Sequence, residues 1–279
     1  MSVPKKVAAM HDIAGFGRSS LTVVIPTLSA LGHQACPIPT AVLSTITGFY
    51  EGYELIDLTD SLPAYLAHWE KEAVSFDCIY TGFLASARQC SIADSFIDKF
   101  RAPLTVVDPV FADEGKLYSC YDKKIISSML ELIKRADIIT PNLTEAAYLL
   151  GCDMSSCCTD EWARRLSAIS GSDVVITGIP DNDNLSVIVY KAKTGETFKL
   201  SHPHIGINYP GTGDLFASVL TGRILSGFSL QDAASFAADF TYHSIKRAFE
   251  LHIPVREGVP LEVMLSRLFE DNRLDIIRL

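Results

Sequence analysis

A glycine-rich turn that ends in an acid is the segment whose residue types are best suited to chemistry. It runs Tyr209-Pro210-Gly211-Thr212-Gly213-Asp214 and leads directly into an apolar run at residues 215–220. The glycines allow a tight turn and leave its backbone N–H groups open to an anion. The apolar spacing after the turn predicts a helix that ends near Gly227, and a helix N-terminus favours a bound phosphate.

An acid beside an anion site would be repelled by a phosphate unless another group passes between them. A hydroxyl group that loses its proton while attacking a phosphoryl group fits that position, so Asp214 is a candidate general base. The alternative is an ordinary loop in which Asp214 is the N-cap of the helix. The Gly211–Asp214 segment alone does not decide between these interpretations.

Composition limits the classes of protein to be considered. The chain has 279 residues, of which 48% are hydrophobic and 20% charged, enough for one substantial core, and we expect a single domain over residues 1–279. A net charge of −9 disfavours nucleic-acid and anionic-membrane partners, so any phosphate must bind in a local site. Because no leader or spanning run is evident, the expected location is the cytoplasm.

The cysteine pattern indicates free thiols. There are seven cysteines, an odd number, and none forms a C-x-x-C pair. Cys152, Cys157 and Cys158 lie close together in sequence, but no histidine nearby completes a zinc site. We therefore expect reduced cysteines in loops or in the core.

Strands alternate with helices along most of the chain. This order predicts an α/β protein, a three-layer α/β/α sandwich with a largely parallel central sheet. The predicted strands are residues 5–10, 33–38, 76–82, 104–107, 137–140 and 173–178, followed by a hairpin of 186–190 with 197–201. The predicted helices run to residue 31 and over 62–71, 91–100, 121–135, 162–169, 233–249 and 261–269.

Polar residues follow two of these strands at the end where open parallel sheets bind ligands. Asp108 follows the strand 104–107, and a metal or phosphate role is favoured over a simple turn. Asn142 and Glu145 follow the strand 137–140 and lie one helical turn apart. For this second pair the alternative is helix capping.

The N-terminal third offers two further candidates. The first loop, with Gly15 and Gly17, lacks the third glycine of a dinucleotide fingerprint, and no acid ends the next strand, so nicotinamide binding is disfavoured. Residues 40–53 are rich in Thr, Ser, Gly and aromatic residues. They indicate a mobile flap that stacks on a small ring, and a plain surface loop is the alternative.

Four motifs taken together resemble the ribokinase-like superfamily in order and spacing, and within it most closely the pyridoxal (vitamin B6) kinases. The resemblance covers nearly the whole chain, and each motif alone is weak. The motifs are Val107-Asp108-Pro109-Val110, Thr140-Pro141-Asn142-Leu143-Thr144-Glu145, Val175-Ile176-Thr177-Gly178 and Gly211-Thr212-Gly213-Asp214.

The resemblance implies an ATP-dependent kinase of the hydroxymethyl group of pyridoxal, pyridoxine or pyridoxamine. It implies ATP as co-substrate, Mg²⁺ and, as an optional further ion, a monovalent cation such as K⁺; we also expect a homodimer. Asp214 would be the base, and Gly211, Thr212 and Gly213 the anion hole. Asp108, Asn142 and Glu145 would lie around magnesium and the ATP phosphates, with Asp108 and Glu145 as the metal residues. Thr177 and Gly178 would lie at the nucleotide. Thr47, and His11 or Asp12, would lie near the vitamin ring, under a flap of residues 47–53.

Departures from the family pattern keep alternatives open. The β-sheet lid of sugar kinases has no room between the first two strands. The serine that some pyridoxal kinases place at the end of the first strand is not obvious here, where Met10-His11-Asp12 stands. Hydroxymethylpyrimidine kinase is the nearest alternative, although the Gly-Gly-Ala-Gly stretch typical of that branch is missing. A nucleotide-binding sensor without catalysis is the alternative from another class.

Overall fold

One large mixed sheet organises the protein. The computed structural model describes residues 3–154, 159–270 and 274–279, and within these ranges ten strands form this sheet while two more form a small hairpin. The strands are β1 Lys6–Ala14, β2 Gln34–Leu43, β3 Leu55–Asp57, β4 Cys78–Thr81, β5 Leu104–Val107, β6 Ala112–Asp113, β7 Lys116–Leu117, β8 Ile138–Ile139, β9 Asp173–Asp181, β10 Asn184–Lys191, β11 Glu196–Pro203 and β12 Ile277–Arg278. The order is β12-β11-β10-β9-β8-β5-β4-β1-β2-β3, with β6 and β7 paired separately.

The six strands in the middle of this sheet, in the order β9-β8-β5-β4-β1-β2, are parallel to one another. The strands at both edges pair antiparallel with their neighbours. The largely parallel sheet predicted from the alternation of elements is thus confirmed. The carboxyl ends of the parallel strands consequently meet at one edge, where ligands bind in sheets of this kind.

Helices cover both faces of the sheet. They are α1 Leu21–Ala30, α2 Leu62–Lys71, α3 Ala87–Phe100, α4 Lys124–Leu132, α5 Leu143–Leu150, α6 Thr159–Ser170, α7 Thr212–Leu225, α8 Leu230–Glu250 and α9 Leu261–Met264. Side chains of β1 alternate between two cores, with Val7 and Ala9 packed among residues of α1, α7 and α8, and Ala8 and Met10 among residues of α2 to α6. This alternation produces the predicted three layers.

The first two strands are longer than predicted. β1 continues past Met10 to Ala14 through a shift in its pairing with β2 between His11 and Ile13, and β2 continues past Ile38 to Leu43. Pro37 and Pro39 are tolerated because β3 pairs only with residues 41–43, so this part of β2 is an edge strand. His11 and Asp12 therefore belong to a strand and not to the loop after it.

Several helix ends also differ from the prediction. The N-cap of α7 is Gly211, so the interpretation of Asp214 as the N-cap is wrong, and Asp214 lies in the first turn. Serine side chains that accept from backbone N–H groups begin α3 and α8 earlier than their apolar patterns indicated, at Ser86 and Ser229. The predicted helix over 261–269 is a short α9 followed by a 3₁₀ helix, Leu265–Phe269.

Three further observations concern the described part of the chain. Only α1 lies between β1 and β2, so no β-sheet lid is inserted there. Searching the described helices finds none with the length and apolar character needed to cross a membrane. Free thiols occur at Cys36, Cys78, Cys90, Cys120 and Cys152, whereas Cys157 and Cys158 lie outside the described residues.

Candidate active site

The candidate residues gather at the carboxyl edge of the parallel strands. Asp108 directly follows β5, and its N–H donates to Thr81 O at the end of β4 at 2.9 Å. Thr177 lies in the middle of β9, and its N–H donates to Pro141 O at 3.0 Å, which ties this strand to the residues after β8. Helix α7 brings Asp214 to the same edge, where its carboxylate contacts His11 of β1.

The two glycines of the turn have different surroundings. Gly211 has φ 76°, and a Cβ atom there would lie 2.1 Å from the carbonyl oxygen of Arg18, so only glycine fits. Gly213 is exposed, and a Cβ atom there would meet no atom within 4 Å. Within the described part of the chain no side chain caps α7, so the first N–H groups of this helix can bind an anion.

Asp214 is held by two donors. Its Oδ2 accepts from Ser20 N at 2.6 Å, and its Oδ1 lies 2.9 Å from His11 Nε2. Ser20 adopts φ 56° and ψ −140°, a strained conformation for a residue with a side chain, and this conformation aims its N–H at the carboxylate. Burial alone would raise the pKa of Asp214, but the charge of His11 and these hydrogen bonds lower it below its ordinary value.

His11 lies between two buried carboxylates. Its Nδ1 is 2.8 Å from Asp12 Oδ1, while its Nε2 faces Asp214, and the ring is 1% exposed. Burial by itself would lower the pKa of His11, but Asp214 and Asp12 raise it to about 10. Both ring nitrogens of His11, a residue expected near the vitamin ring, are thus in contact with these two acids.

Asp108 and Glu145 are two further buried acids. Asp108 Oδ1 accepts from Thr140 Oγ1 at 2.8 Å. Burial, together with the negative charge of Asp214, raises the pKa of Asp108 to about 7. Burial and the neighbouring Asp108 raise the pKa of Glu145 well above its ordinary value. The two acids therefore favour a nearby cation.

Asn142 and Glu145 form a capping box at the start of α5. Asn142 Oδ1 accepts from Glu145 N at 2.9 Å, and Glu145 Oε2 accepts from Asn142 N at 2.8 Å. Glu145 Oε1 also accepts from Phe111 N at 3.1 Å. The capping alternative for this pair is confirmed, and their nucleotide role stays a prediction.

The donor set of Asp108 and Glu145 fits magnesium as a partner of bound phosphates. Among the residues that the structure describes, no group of three or more His, Cys, Asp or Glu side chains is placed to hold a metal ion. Magnesium is commonly bound by one or two carboxylates, with the remaining positions taken by water and substrate phosphate. Two buried acids with raised pKa values meet that requirement.

The nucleotide candidates lie beside Asn142, and the flap candidate Thr47 lies near the first loop. Thr177 forms a bridge with Asn142, and Gly178, at φ 70°, has open space around it. Thr47 is half-buried in a turn of the flap, next to Ile46, whose side chain would be 2.8 Å from a Cβ atom at Gly17. The flap thus rests on the loop that also carries Ser20.

Sequence reasoning missed two parts of the site. Ser20 contributes a backbone N–H, which no residue type reveals. Gly82 is needed because a Cβ atom there would lie 1.9 Å from the His11 ring. A glycine directly after a buried strand is the available signal for close approach, and the prediction of a strand over residues 76–82 does not use it.

The fold and the site together define a kinase of the ribokinase-like superfamily. A family model described as phosphomethylpyrimidine kinase matches residues 24–256, and the chain belongs to that family. The resemblance to vitamin B6 kinases is also confirmed by individual relatives. The pyridoxal kinase of Arabidopsis thaliana is 31% identical over 76% of this chain and 71% of its own.

Solved structures are similar over almost the full length. A candidate phosphomethylpyrimidine kinase from Bacteroides thetaiotaomicron, crystallised with pyridoxal, is 43% identical, with a TM-score of 0.93 over 98% of this chain and 100% of its own. Pyridoxal kinase from Lactobacillus plantarum is 28% identical, with a TM-score of 0.90 over 96% and 97% of the two chains.

Proposed function

We propose that the protein transfers the γ-phosphoryl group of ATP to the hydroxymethyl group of pyridoxal, pyridoxine or pyridoxamine. The observation that carries this proposal is the buried, ionised Asp214 at the N-terminus of α7, directly beside the open backbone of Gly213. An acceptor for a hydroxyl proton and donors for a phosphoryl group are then adjacent, as phosphoryl transfer to an alcohol requires.

Each candidate residue has a distinct task in this proposal. Asp214 accepts the hydroxyl proton, and the N–H groups of Thr212 and Gly213 stabilise charge on the moving phosphoryl group. Asp108 and Glu145 would hold magnesium, which when bound neutralises charge on the ATP phosphates. Thr177, Gly178 and Asn142 line the path of the nucleotide.

The low pKa of Asp214 makes it a weak base. This is compatible with phosphoryl transfer because the transition state is loose and the hydroxyl proton can leave late. Positioning and charge stabilisation then supply most of the rate enhancement.

The choice of substrate is supported by the Bacteroides structure with pyridoxal and by the relatives named as pyridoxal kinases. The flap offers an exposed Phe49 and the half-buried Thr47, which suit a small aromatic ring with polar substituents. Hydroxymethylpyrimidine is the second candidate, since the matching family is described by its phosphomethylpyrimidine kinase activity.

A turnover assay tests the proposal directly. The purified protein is incubated with ATP and magnesium against the three B6 vitamers and hydroxymethylpyrimidine, and the phosphorylated products are separated and quantified. We expect kcat/KM to be highest for a B6 vitamer. A higher kcat/KM for hydroxymethylpyrimidine would assign the second activity, and ATP binding without any product would identify a sensor.

A further inference from the structure

A buried row of three charged side chains crosses from β1 to α7. Asp12 and Asp214 lie on opposite sides of the His11 ring, with contacts of 2.8 and 2.9 Å. Ionised carboxylates only accept hydrogen bonds, so each ring nitrogen that faces one carries a hydrogen and the ring is an imidazolium. The N–H of Asp12 also approaches Nδ1 at 3.0 Å, but the carboxylate is the nearer partner and requires a donor.

The backbone around His11 is built to hold this ring in place. The pairing shift between His11 and Ile13 turns the ring toward α7, and Gly82 leaves the space that the ring fills. Gly82 is itself fixed, since its N–H donates to Met10 O at 2.9 Å. The bulge and the missing side chain thus hold the ring between the two carboxylates.

We propose that His11, anchored by Asp12, is a positioning residue that fixes the orientation of the Asp214 carboxylate and balances its charge. The inference rests on the proposed role of Asp214 as the base. It differs from the expectation that His11 or Asp12 lies near the vitamin ring, which stays a prediction.

The charge balance matters because the neighbourhood of Asp214 is otherwise acidic. Asp108 repels Asp214, and ATP adds further negative charge to the same edge. His11 is the cation that faces Asp214 directly, and it keeps the base ionised and aimed at the turn. The titratable groups around the pair are Asp12 on β1, Tyr80 on β4, Asp108 after β5, Tyr118 after β7 and Glu145 on α5.

The kinetic test uses His11→Gln, which can keep a donor toward Asp214 but has no charge. We expect kcat to fall about ten-fold or more, because orientation and charge of the base are lost, while KM for ATP and for the vitamer stays within about two-fold. The matched control is His33→Gln, since His33 is also buried but donates from Nε2 to Gly222 O, away from the acids. The control should keep kcat near that of wild type.

A raised KM for the vitamer with an unchanged kcat would overturn the proposal in favour of ring recognition. Should His11→Gln fail to fold, Asp12→Asn replaces it, because that variant leaves the His11–Asp214 contact in place and keeps an acceptor oxygen for Nδ1, so that only the negative charge of Asp12 is lost. We expect Asp12→Asn to lower kcat several-fold, again with KM unchanged, and an unchanged kcat would also overturn the proposal.

A spectroscopic measurement separates this inference from the proposed function. Long-range ¹H–¹⁵N NMR of the imidazole nitrogens reports the charge of His11 without any substrate. We expect an imidazolium at pH 8 in wild type and a ring that titrates at lower pH in Asp214→Asn. A neutral His11 at pH 7 would overturn the inference, whatever the turnover assay shows.

Discussion

At the scale of single residues, Asp214 is defined by what it contacts and not by helix capping. Its two oxygens accept from Ser20 N and face His11, and Gly211 occupies the cap position. The side chain of Asp214 therefore does not cap α7. Its role in the fold is to contact the buried His11.

Substituting Asp214 by Asn tests both its proposed role as the base and its contact with His11. Asn cannot take the hydroxyl proton, so we expect turnover to fall about a hundred-fold or more while ATP still binds. The protein should also lose stability, on the order of 3 kcal/mol, because the buried His11 loses a charged partner. Steady-state kinetics and urea denaturation measure both effects, and turnover within a few-fold of wild type would contradict the base assignment.

The pKa of His11 predicts how stability depends on pH. The folded protein holds the His11 proton up to about pH 10, whereas the unfolded chain releases it near 6.5. This contribution to the free energy of unfolding is fully present below pH 6.5 and is lost as the pH rises toward 10.

We expect the stability difference between wild type and His11→Gln to shrink steadily between pH 6.5 and 10, in urea denaturation series at fixed ionic strength. Comparing the two proteins removes the effect of other groups that titrate in this range. A difference that stays constant over the whole range would show that His11 has no raised pKa.

At the scale of elements, the glycine turn and its helix offer a matched pair of substitutions. In Gly211→Ala the new Cβ atom would meet Arg18 O at 2.1 Å in a backbone with φ 76°, so we expect a loss of stability of about 2 kcal/mol or more. In Gly213→Ala nothing lies within 4 Å, so the melting temperature should stay close to that of wild type.

Gly213→Ala, the variant expected to keep its stability, should still lose activity. Gly213→Ala places a methyl group in the open space where the phosphoryl group is proposed to bind, and we expect kcat/KM to fall at least several-fold in a fully folded protein. Wild-type kinetics in Gly213→Ala would place the anion site elsewhere.

The capping box of α5 gives a test of the metal proposal. In Glu145→Gln one oxygen can still accept from Asn142 N in the capping box, but the new amide NH2 faces Phe111 N, so we expect a loss of stability of about 1–2 kcal/mol in a protein that still folds. Loss of the negative charge should raise the magnesium concentration needed for half-maximal activity more than it changes KM for the vitamer. An unchanged magnesium dependence would leave Glu145 with a capping role alone.

The elements also show what the sequence can and cannot reveal. Asp108, Asn142, Glu145 and Thr177 could be placed together in advance, because the carboxyl ends of neighbouring parallel strands share one edge. The contact of His11 with Asp214 joins residues 203 positions apart, and it depends on a strand bulge and on a missing side chain at Gly82. No local pattern encodes such a contact.

At the scale of the whole molecule, three distant parts of the chain meet at the flap of residues 47–53. The ring of Tyr50 contacts Phe16 of the first loop at 6.0 Å between centroids. Arg256, close to the C-terminal end of the chain, lies over the same ring at 5.3 Å. The buried hydroxyl of Tyr50 has no hydrogen-bond partner among the residues that the structure describes, so these ring contacts hold the flap at this point.

This arrangement predicts a flap that closes further when the vitamer binds. Gly48 and Gly52, both with positive φ, can absorb a change in backbone angles, and Phe49 is exposed until a ring covers it. We expect hydrogen exchange at residues 47–53 to slow on adding vitamer and a non-hydrolysable ATP analogue.

Arg256→Ala should speed exchange in the free protein and raise KM for the vitamer several-fold, while kcat changes less, because the contact over Tyr50 helps to hold the flap but touches no reacting atom. Arg247→Ala is the matched control, since Arg247 is exposed on α8 and its guanidinium pairs with Glu250. Equal exchange in the free and bound protein would show that the flap is a fixed surface loop.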